Sequence, residues 1–460
     1  MTGSVKIMLL GRKSELRHLN NYYDREGSQI VVVYGQKHVG KTTLVREFLK
    51  ERPGYYYLAR ACSEREQTYQ WGMQMSRDGY EMEAFPGFRD ILIGITRQGN
   101  GKKVIIIDEF QNIVKVSSEF MKELVSFMHS HWNRDEVMIV LCSSTIGWVE
   151  NSMVSRIGET AYELSGFLKI REMPFEDIVE RFPNFRIEEC VEAYAILGGY
   201  PGLWNRFDDR LTIQQNICRN ILNPDSFLFE EGERLLTDQL RELSVYNTIM
   251  ASIADGSHKL NNLYLHTDFS RAKISVYLKN LIELELVGKV FSYDTAGKDN
   301  VQKGIYRISH PLVDFYYTYM YPYWSELQTL SVGEFYNRYV MPDFRRHVTG
   351  YFKHICRQHL ARLNDRKRLP IQLDVIGEWV GKDGELDIIA QDAEDHTLIG
   401  LCNWERPVTY EDYNNLLDCA KKAKISADYV YMYSAFRFDE RLNLETKVRT
   451  NLKLIQISDF

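Results

Sequence analysis

Three uninterrupted apolar runs in the first third of the chain, rich in β-branched residues, have the length of buried strands: residues 30–34, 104–107 and 137–142. Runs of this kind, rather than alternating ones, are typical of strands covered on both faces in a parallel sheet. The amphipathic pattern over residues 43–49 predicts a helix directly after the first run. Strands alternating with helices predict an α/β domain, which we place at residues 1–170.

Beyond residue 170 the pattern becomes helical, with helices predicted at 174–178 and 187–194 within a helical subdomain of residues 171–232. The sequence Gly198-Gly199-Tyr200-Pro201 predicts a turn after these helices. Paired glycines adopt conformations that other residues resist, and proline fixes the chain's exit. We interpret this turn as a hinge or sensor rather than as a catalytic element.

Residues 233–330 have the pattern of a winged helix. It predicts helices at 235–253, 261–265 and 270–281, and two wing strands at 286–291 and 304–308. On the third helix, the side chains that could meet DNA phosphate or base edges are Ser270, Arg271, Lys273 and Lys279. Ser270 is equally suited to cap the helix, and winged helices also serve as protein-interaction modules. Both interpretations stay open.

Residues 331–460 predict a separate α/β domain. A helix is expected at 344–363, and strands are expected at 377–380, 385–390, 398–404 and 429–433. The turn at 381–384 joins the first two strands. The tyrosine clusters at 55–57 and 316–323 are interpreted as packing, with a stacking platform for bases as the alternative.

Composition adds few constraints. Of 460 residues, 44% are hydrophobic and 26% charged, and the net charge of −6 gives no global attraction to nucleic acid, so DNA contact would need a local patch. The seven cysteines include no CxxC pair, which favours reduced thiols over disulfides or zinc. Without a signal pattern or an apolar run of roughly 20 residues, we expect a cytoplasmic protein.

Residues 35–42 match the phosphate-binding pattern GxxxxGK followed by Thr, between a predicted strand and a predicted helix. In such a loop, backbone amides and the helix N-terminus face the phosphates. Lys41 would reach the β- and γ-phosphates, and the Thr42 hydroxyl would hold Mg²⁺. The alternative is a glycine turn that matches by chance. The loop residues expected to bind nucleotide are Gly35, Gln36, Lys37, His38, Val39, Gly40, Lys41, Thr42 and Thr43.

Asp108 and Glu109 follow the second predicted strand, at the sheet edge where α/β proteins bind ligands. Asp108 would hold Mg²⁺ directly or through water, and Glu109 would deprotonate the attacking water. The alternative is a pair of acids capping the next helix. Ser143 and Ser144 end the third strand, where a small polar residue contacts the γ-phosphate or the attacking water, or simply forms a turn.

The chain resembles the archaeal-type P-loop ATPases of the AAA+/STAND group. The resemblance rests on GR-x-x-EL at residues 11–16, the GQKHVGKTTL loop, IIIDEFQ, LCSS, LGGYPG at 197–202 and YRISHPL at 306–312. It implies ATP and Mg²⁺ as cofactors, a helical lid over residues 171–232, Arg12 near the adenine end and Ser143 or Ser144 as sensor. It also suggests Arg156 as a γ-phosphate sensor; however, the family usually has a fuller Gly-Arg-Arg there, so a surface arginine is the alternative. The expected catalytic set is Lys41, Asp108, Glu109, Ser144 and Arg156.

The resemblance also implies a PD-(D/E)xK nuclease-like fold for residues 331–460. Asp387 fits the first acid of such a site, but the triplet position is Leu401-Cys402-Asn403, which lacks both the carboxylate and the amine. Lys353 stands where the first helix often carries an acid. Since a single carboxylate binds Mg²⁺ poorly, we predict that this domain does not cut nucleic acid and instead serves as a binding or dimerisation platform.

We therefore expect a Mg²⁺-dependent ATPase whose turnover drives a conformational switch. Its partner would be double-stranded DNA, through residues 270–281, or a protein client, with a homo-oligomer as a further option. Two alternatives remain at this point. One is a DNA-binding regulator tuned by nucleotide with little turnover, and the other is an ATP-dependent nuclease.

Overall fold

The computed structural model describes residues 11–98, 101–130, 136–290, 304–381 and 384–460. The chain divides into two compact units. The first runs to Met173 and includes Tyr200–Gly202, and the second comprises Pro174–Gly199 and Leu203–Phe460. The boundaries predicted near residues 232 and 330 lie inside the second unit and stay predictions.

The first unit contains a five-stranded sheet in the order β2-β3-β4-β1-β5, with every neighbouring pair parallel. The strands are β1 Gln29–Tyr34, β2 Gly54–Leu58, β3 Lys103–Asp108, β4 Val137–Ser143 and β5 Gly166–Lys169. The three strands predicted from apolar runs are confirmed as β1, β3 and β4, and the parallel arrangement of the sheet is confirmed with them.

Helices cover both faces of this sheet, which is why the central strands are apolar throughout. They are α1 Lys13–Tyr23, α2 Lys41–Leu49, α3 Glu64–Arg77, α4 Phe88–Arg97, α5 Gln111–Val114, α6 Phe120–Ser130, α7 Ile146–Asn151 and α8 Met153–Ile157. On one face, Trp71 of α3 is fully buried and stacks on Tyr57 of β2, with ring centroids 4.3 Å apart. This aromatic pair lies in the main apolar core of the unit.

The strand order determines where the predicted site residues meet. Because β4 lies between β1 and β3, the three chain segments that leave these strands emerge side by side. All three strands are parallel, so their carboxyl ends share one edge of the sheet. The loop after β1, the acids at the end of β3 and the serines at the end of β4 are therefore brought together.

The second unit begins with helices and a two-stranded antiparallel sheet. Its elements up to that sheet are α9 Phe175–Arg181, α10 Ile187–Leu197, α11 Pro201–Trp204 (which starts in the first unit), α12 Ile213–Asn220, α13 Glu231–Thr237, α14 Leu243–Ala254, α15 Leu260–Thr267, α16 Arg271–Glu283, β6 Val287–Val290 and β7 Ile305–Ile308. Phe291, placed in the first predicted wing strand, lies outside the described residues.

The single helix predicted over residues 235–253 is wrong. The chain forms α13 and α14 instead, separated at Glu242, whose φ of 57° is left-handed. A right-handed helix cannot continue through such a residue. The apolar period carries across this break, so the sequence pattern alone gives no sign of it.

The remaining elements include a mixed five-stranded sheet in the order β12-β11-β10-β9-β8. They are α17 Pro311–Phe315, α18 Trp324–Thr329, α19 Val332–Phe335, α20 Phe344–Asp365, β8 Val375–Gly381, β9 Gly384–Gln391, β10 Thr397–Asn403, α21 Tyr410–Lys422, β11 Tyr429–Ser434, α22 Glu440–Val448 and β12 Leu452–Gln456. Two π-helical turns, Tyr316–Met320 and Tyr336–Val340, follow α17 and α19. Lys382 and Asp383, in the predicted turn, lie outside the described residues.

Tyr316, Tyr317 and Tyr319 are buried, which confirms packing for these three members of the predicted cluster, whereas Tyr323 is exposed. Among the helices of the described ranges, none combines the length and apolar character needed to cross a bilayer.

Trp71→Ala tests the core of the first unit. Removing this ring should cost about 3–5 kcal/mol of that unit's unfolding free energy, since it leaves a cavity beside Tyr57. Chemical denaturation followed by tyrosine and tryptophan fluorescence would measure the change. The matched control is Tyr162→Ala, because Tyr162 is 91% exposed and its loss should change little. Equal midpoints for both variants would contradict this assignment of the core.

Candidate functional site

The loop between β1 and α2 requires glycine at both ends. Gly35 has a φ of 157°, and a Cβ there would lie 2.3 Å from the carbonyl oxygen of Ile170. Gly40, directly before α2, has a φ of 98°, which is left-handed. The two glycines allow the chain to leave the strand and enter the helix within a few residues. The loop thus meets the N-terminus of a nine-residue helix.

Lys41 is the buried cation of this loop. Its Nζ donates to the carbonyl oxygens of Gly35, at 2.9 Å, and Gln36, at 2.8 Å. Burial lowers the pKa of Lys41, and the carboxylates of Glu109 and Asp108 oppose that shift. An anion stabilises a buried ammonium group far more than it stabilises a solvent-exposed ammonium group. The loop therefore carries a cation suited to bind phosphate.

Asp108 is the last residue of β3 and is 2% exposed. Its Oδ2 accepts hydrogen bonds from Thr42 Oγ1 and from Tyr56 OH, both at 2.8 Å, and its Oδ1 accepts from the Glu109 amide at 3.1 Å. The two residues predicted to hold Mg²⁺ thus lie in direct contact. A hydroxyl and a carboxylate are the hard oxygen ligands that Mg²⁺ prefers, so this corner fits the metal chemically.

Glu109 follows Asp108 with a left-handed φ of 55°. Its Oε2 accepts from Ser144 Oγ at 2.7 Å, from the Ser144 amide at 3.3 Å and from Gln111 Nε2. Within the described residues its second oxygen, Oε1, makes no hydrogen bond. One oxygen is thus held by three donors, while the other can accept a proton.

The two serines after β4 have different roles. Ser143 Oγ accepts from the Thr145 amide at 3.1 Å, which is the strand-end turn considered from the sequence. Ser144 is buried and holds Glu109. Ser144 is thus bonded to Glu109, and its predicted contact with phosphate or the attacking water stays a prediction.

The two arginines predicted for the site, Arg12 and Arg156, also differ in burial and in contacts. Arg12 is buried and donates to the carbonyl oxygens of Val39, at 2.8 Å, and Arg171, at 2.7 Å. Its guanidinium thus links the loop at Val39 to the chain at Arg171. Arg156, on α8, is exposed and donates to the carbonyl oxygen of Lys115 at 3.3 Å. Its placement at the surface favours the interpretation as a surface arginine over that as a γ-phosphate sensor.

Three residues at the site were missed from the sequence as site residues. Gln111 and Tyr56 bond to the two acids, and Tyr200 OH donates to Gln36 Oε1 of the loop. The Gly202 amide also donates to the His38 carbonyl at 2.9 Å. The alternation of residues along β2 was the sequence signal that could have indicated Tyr56 as a site residue. The predicted sensor turn could have indicated Tyr200.

Two stretches of the chain match known protein families. Residues 9–206 match the family described as an ATPase domain predominantly from Archaea. The protein is thus an ATPase of the P-loop class, which implies ATP binding. Residues 316–416 match a second family, described as archaeal and bacterial proteins of unknown function.

The chain is similar to an uncharacterized protein of Methanocaldococcus jannaschii, 26% identical over 98% of this chain and 100% of that protein. It is also similar to an uncharacterized ATP-binding protein of the same organism, 33% identical over 10% of this chain and 78% of that one.

Among solved structures, the chain is similar to a Walker-type ATPase of Pyrococcus abyssi, 18% identical with a TM-score of 0.49, covering 67% of this chain and 96% of that one. A second is the ORC2 protein of Aeropyrum pernix, 14% identical with a TM-score of 0.49, covering 69% of this chain and 94% of that one.

Lys41→Ala should weaken ATP binding at least tenfold, because each lost 1.4 kcal/mol of phosphate contact is about a factor of ten. Titration calorimetry with ATP would measure the dissociation constant. Lys50→Ala is the matched control, since Lys50 follows the same helix but is exposed and pairs with Glu47 at 2.8 Å. An unchanged constant for Lys41→Ala would remove this lysine from the phosphate site.

Proposed function

We propose that this protein binds ATP with Mg²⁺ on the β1–α2 loop, hydrolyses it and uses the resulting loop rearrangement as a conformational switch. The observation that carries the proposal is the continuous bonded network of Thr42, Asp108, Glu109 and Ser144 beside the buried Lys41. Each of these groups has the chemistry that phosphoryl transfer to water requires at that place.

The division of labour follows from the contacts. Thr42 and Asp108 would hold Mg²⁺, which when bound neutralises phosphate charge. Lys41 would exchange its two carbonyl acceptors for phosphate oxygens. Ser144 and Gln111 fix one oxygen of Glu109. The other oxygen accepts a hydrogen bond from the attacking water and then its proton, as a positioned general base does.

The segment Tyr200–Gly202 would transmit the change. It bonds the loop through Tyr200 to Gln36 and through the Gly202 amide to His38. A Cβ on Gly202 would lie 3.0 Å from His38 Cα, so the approach is close. A loop that rearranges around phosphate alters these contacts, and the chain continues from Gly202 directly into the helical region. This supports the interpretation of the turn as a sensor.

The conformational change would act on DNA or on a protein partner. The chain would contact that partner through the α14–β7 region and the C-terminal domain. The side chains proposed for DNA already have local partners. Arg271 lies 4.4 Å over the Tyr264 ring, Lys273 lies 4.5 Å over Phe269, and Lys279 is 3.8 Å from Glu283. Ser270 caps α16 by accepting from the Lys273 amide at 3.2 Å. These pairs compete with phosphate, which supports a protein partner as much as DNA.

In the C-terminal domain, we propose a nuclease-like fold that has lost its metal site. Lys353 Nζ lies 2.6 Å from Asp387 Oδ1 and 2.9 Å from Glu385 Oε1. Burial lowers the pKa of Lys353, but the carboxylates of Asp387 and Glu385 outweigh it and raise the pKa overall. Leu401 packs against the apolar core. An ammonium group therefore neutralises the acid that a metal would need.

Glu109→Gln should keep ATP binding but lower turnover by about 10²–10⁴, since amide oxygen cannot take the proton of water. Steady-state phosphate release with Mg²⁺ measures turnover, and calorimetry measures binding. Glu119→Gln is the control, because Glu119 is exposed and pairs with Lys122. Turnover in Glu109→Gln equal to that of the wild type would eliminate Glu109 as the base.

The same assay with duplex DNA separates the partners. Turnover that rises with DNA and falls again in Arg271→Ala would identify DNA as the partner. Turnover that ignores DNA would indicate a protein client. Nucleotide-dependent DNA affinity without turnover would support the regulator considered from the sequence instead.

We expect no cleavage of single-stranded or duplex DNA by the C-terminal domain with Mg²⁺ or Mn²⁺, because Lys353 neutralises Asp387. Gel analysis after prolonged incubation of the wild type, with and without ATP, tests this. Metal-dependent scission that disappears in Asp387→Ala would overturn the assignment and restore the nuclease alternative.

A further inference from the structure

The three consecutive tyrosines of β2 point to different environments, because successive strand residues face opposite sides of a sheet. Tyr55 and Tyr57 are buried in the core on one side, where Tyr55 OH donates to Asp78 Oδ2 at 2.7 Å and Tyr57 stacks on Trp71. Tyr56 therefore extends to the other side of the sheet, the side on which α2 packs.

Strand register explains why Tyr56 reaches the site. Tyr56 pairs with Ile106 across β2 and β3, so Asp108 is its diagonal neighbour on the same face. Diagonal neighbours lie within reach of an aromatic side chain. The Tyr56 hydroxyl donates to Asp108 Oδ2 at 2.8 Å, and this oxygen also accepts from Thr42 Oγ1 at 2.8 Å.

The Tyr56 ring is itself held. The guanidinium of Arg46, on α2, lies 4.4 Å from the ring centroid, a cation–π distance. Burial, and then the negative charge of Asp108, raise the pKa of Tyr56. The hydroxyl donates to the Asp108 carboxylate. A fixed donor of this kind orients the group it bonds.

We propose that Tyr56 is the positioning residue of the metal site and holds Asp108 in the orientation that receives Mg²⁺. The inference rests on the proposed function, since it assumes that Thr42 and Asp108 hold the metal. The Thr42 hydroxyl would bind the metal through an oxygen lone pair, so Tyr56 is the donor to Asp108 Oδ2 that is not itself a metal ligand. Among the described residues, Thr42 and Tyr56 supply the side-chain hydrogen bonds to that oxygen.

Partners that orient a metal ligand are worth about 10–100-fold in metal affinity. A residue acting in this way should change the affinity for metal while leaving metal-free nucleotide binding intact. A merely structural tyrosine would instead lower stability and weaken all ligands together. The two roles therefore differ in a measurable way.

The test is Tyr56→Phe, which removes one oxygen and keeps the ring beneath Arg46. Mn²⁺ is titrated into the protein–ADP complex and the free ion is followed by electron paramagnetic resonance. We expect about tenfold weaker Mn²⁺ binding, with ADP affinity in EDTA unchanged. In turnover assays the Mg²⁺ concentration at half-maximal rate should rise about tenfold, with kcat at saturating Mg²⁺ nearly retained.

Tyr55→Phe is the matched control, since it deletes the neighbouring hydroxyl from the opposite face and should leave Mn²⁺ affinity unchanged. Wild-type Mn²⁺ affinity in Tyr56→Phe, or an equal loss in Tyr55→Phe, would overturn the inference while the proposed function stands. If Asp108→Asn binds Mn²⁺ as tightly as the wild type does, Asp108 does not hold the metal. The proposed metal site then fails, and this inference fails with it.

Discussion

The buried ammonium group of Lys41 is the constraint on which this end of the sheet depends. Its charge is removed from water, and in this structure two carbonyl oxygens of its own loop compensate it. Neutral acceptors stabilise such a charge less than an anion does. The loop is therefore held in a conformation from which the ammonium group can move to phosphate oxygens. The nearby carboxylates oppose the lowering of its pKa by burial.

The remaining contacts hold the other charged groups around this cation. Asp108 and Glu109 are adjacent in sequence, yet each is fixed by different partners: Thr42 and Tyr56 for Asp108, and Ser144 with Gln111 for Glu109. The left-handed φ at Glu109 separates the two carboxylates into these environments. Adjacent acids thus acquire different environments through backbone geometry and hydrogen bonding.

Much of the site could be predicted because its signals are local. The glycines, Lys41, Thr42 and the two acids lie in short contiguous motifs beside apolar runs, and β1, β3 and β4 follow from those runs alone. What escaped prediction depends on contacts distant along the chain. The hydroxyl of Tyr56 meets Asp108 only after β2 pairs with β3. Arg12 reaches Arg171 only once the parallel sheet has formed. The break at Glu242 is local but depends on a φ angle that residue type does not determine.

A crystal structure with Mg²⁺ and a non-hydrolysable ATP analogue would test the proposed roles of these groups. We expect Lys41 Nζ to leave the carbonyls of Gly35 and Gln36 for β- and γ-phosphate oxygens. Thr42 and Asp108 should then surround the metal, and a water should lie between Glu109 Oε1 and the γ-phosphate. A nucleotide bound elsewhere, or Lys41 still on its two carbonyls beside a bound triphosphate, would contradict these roles.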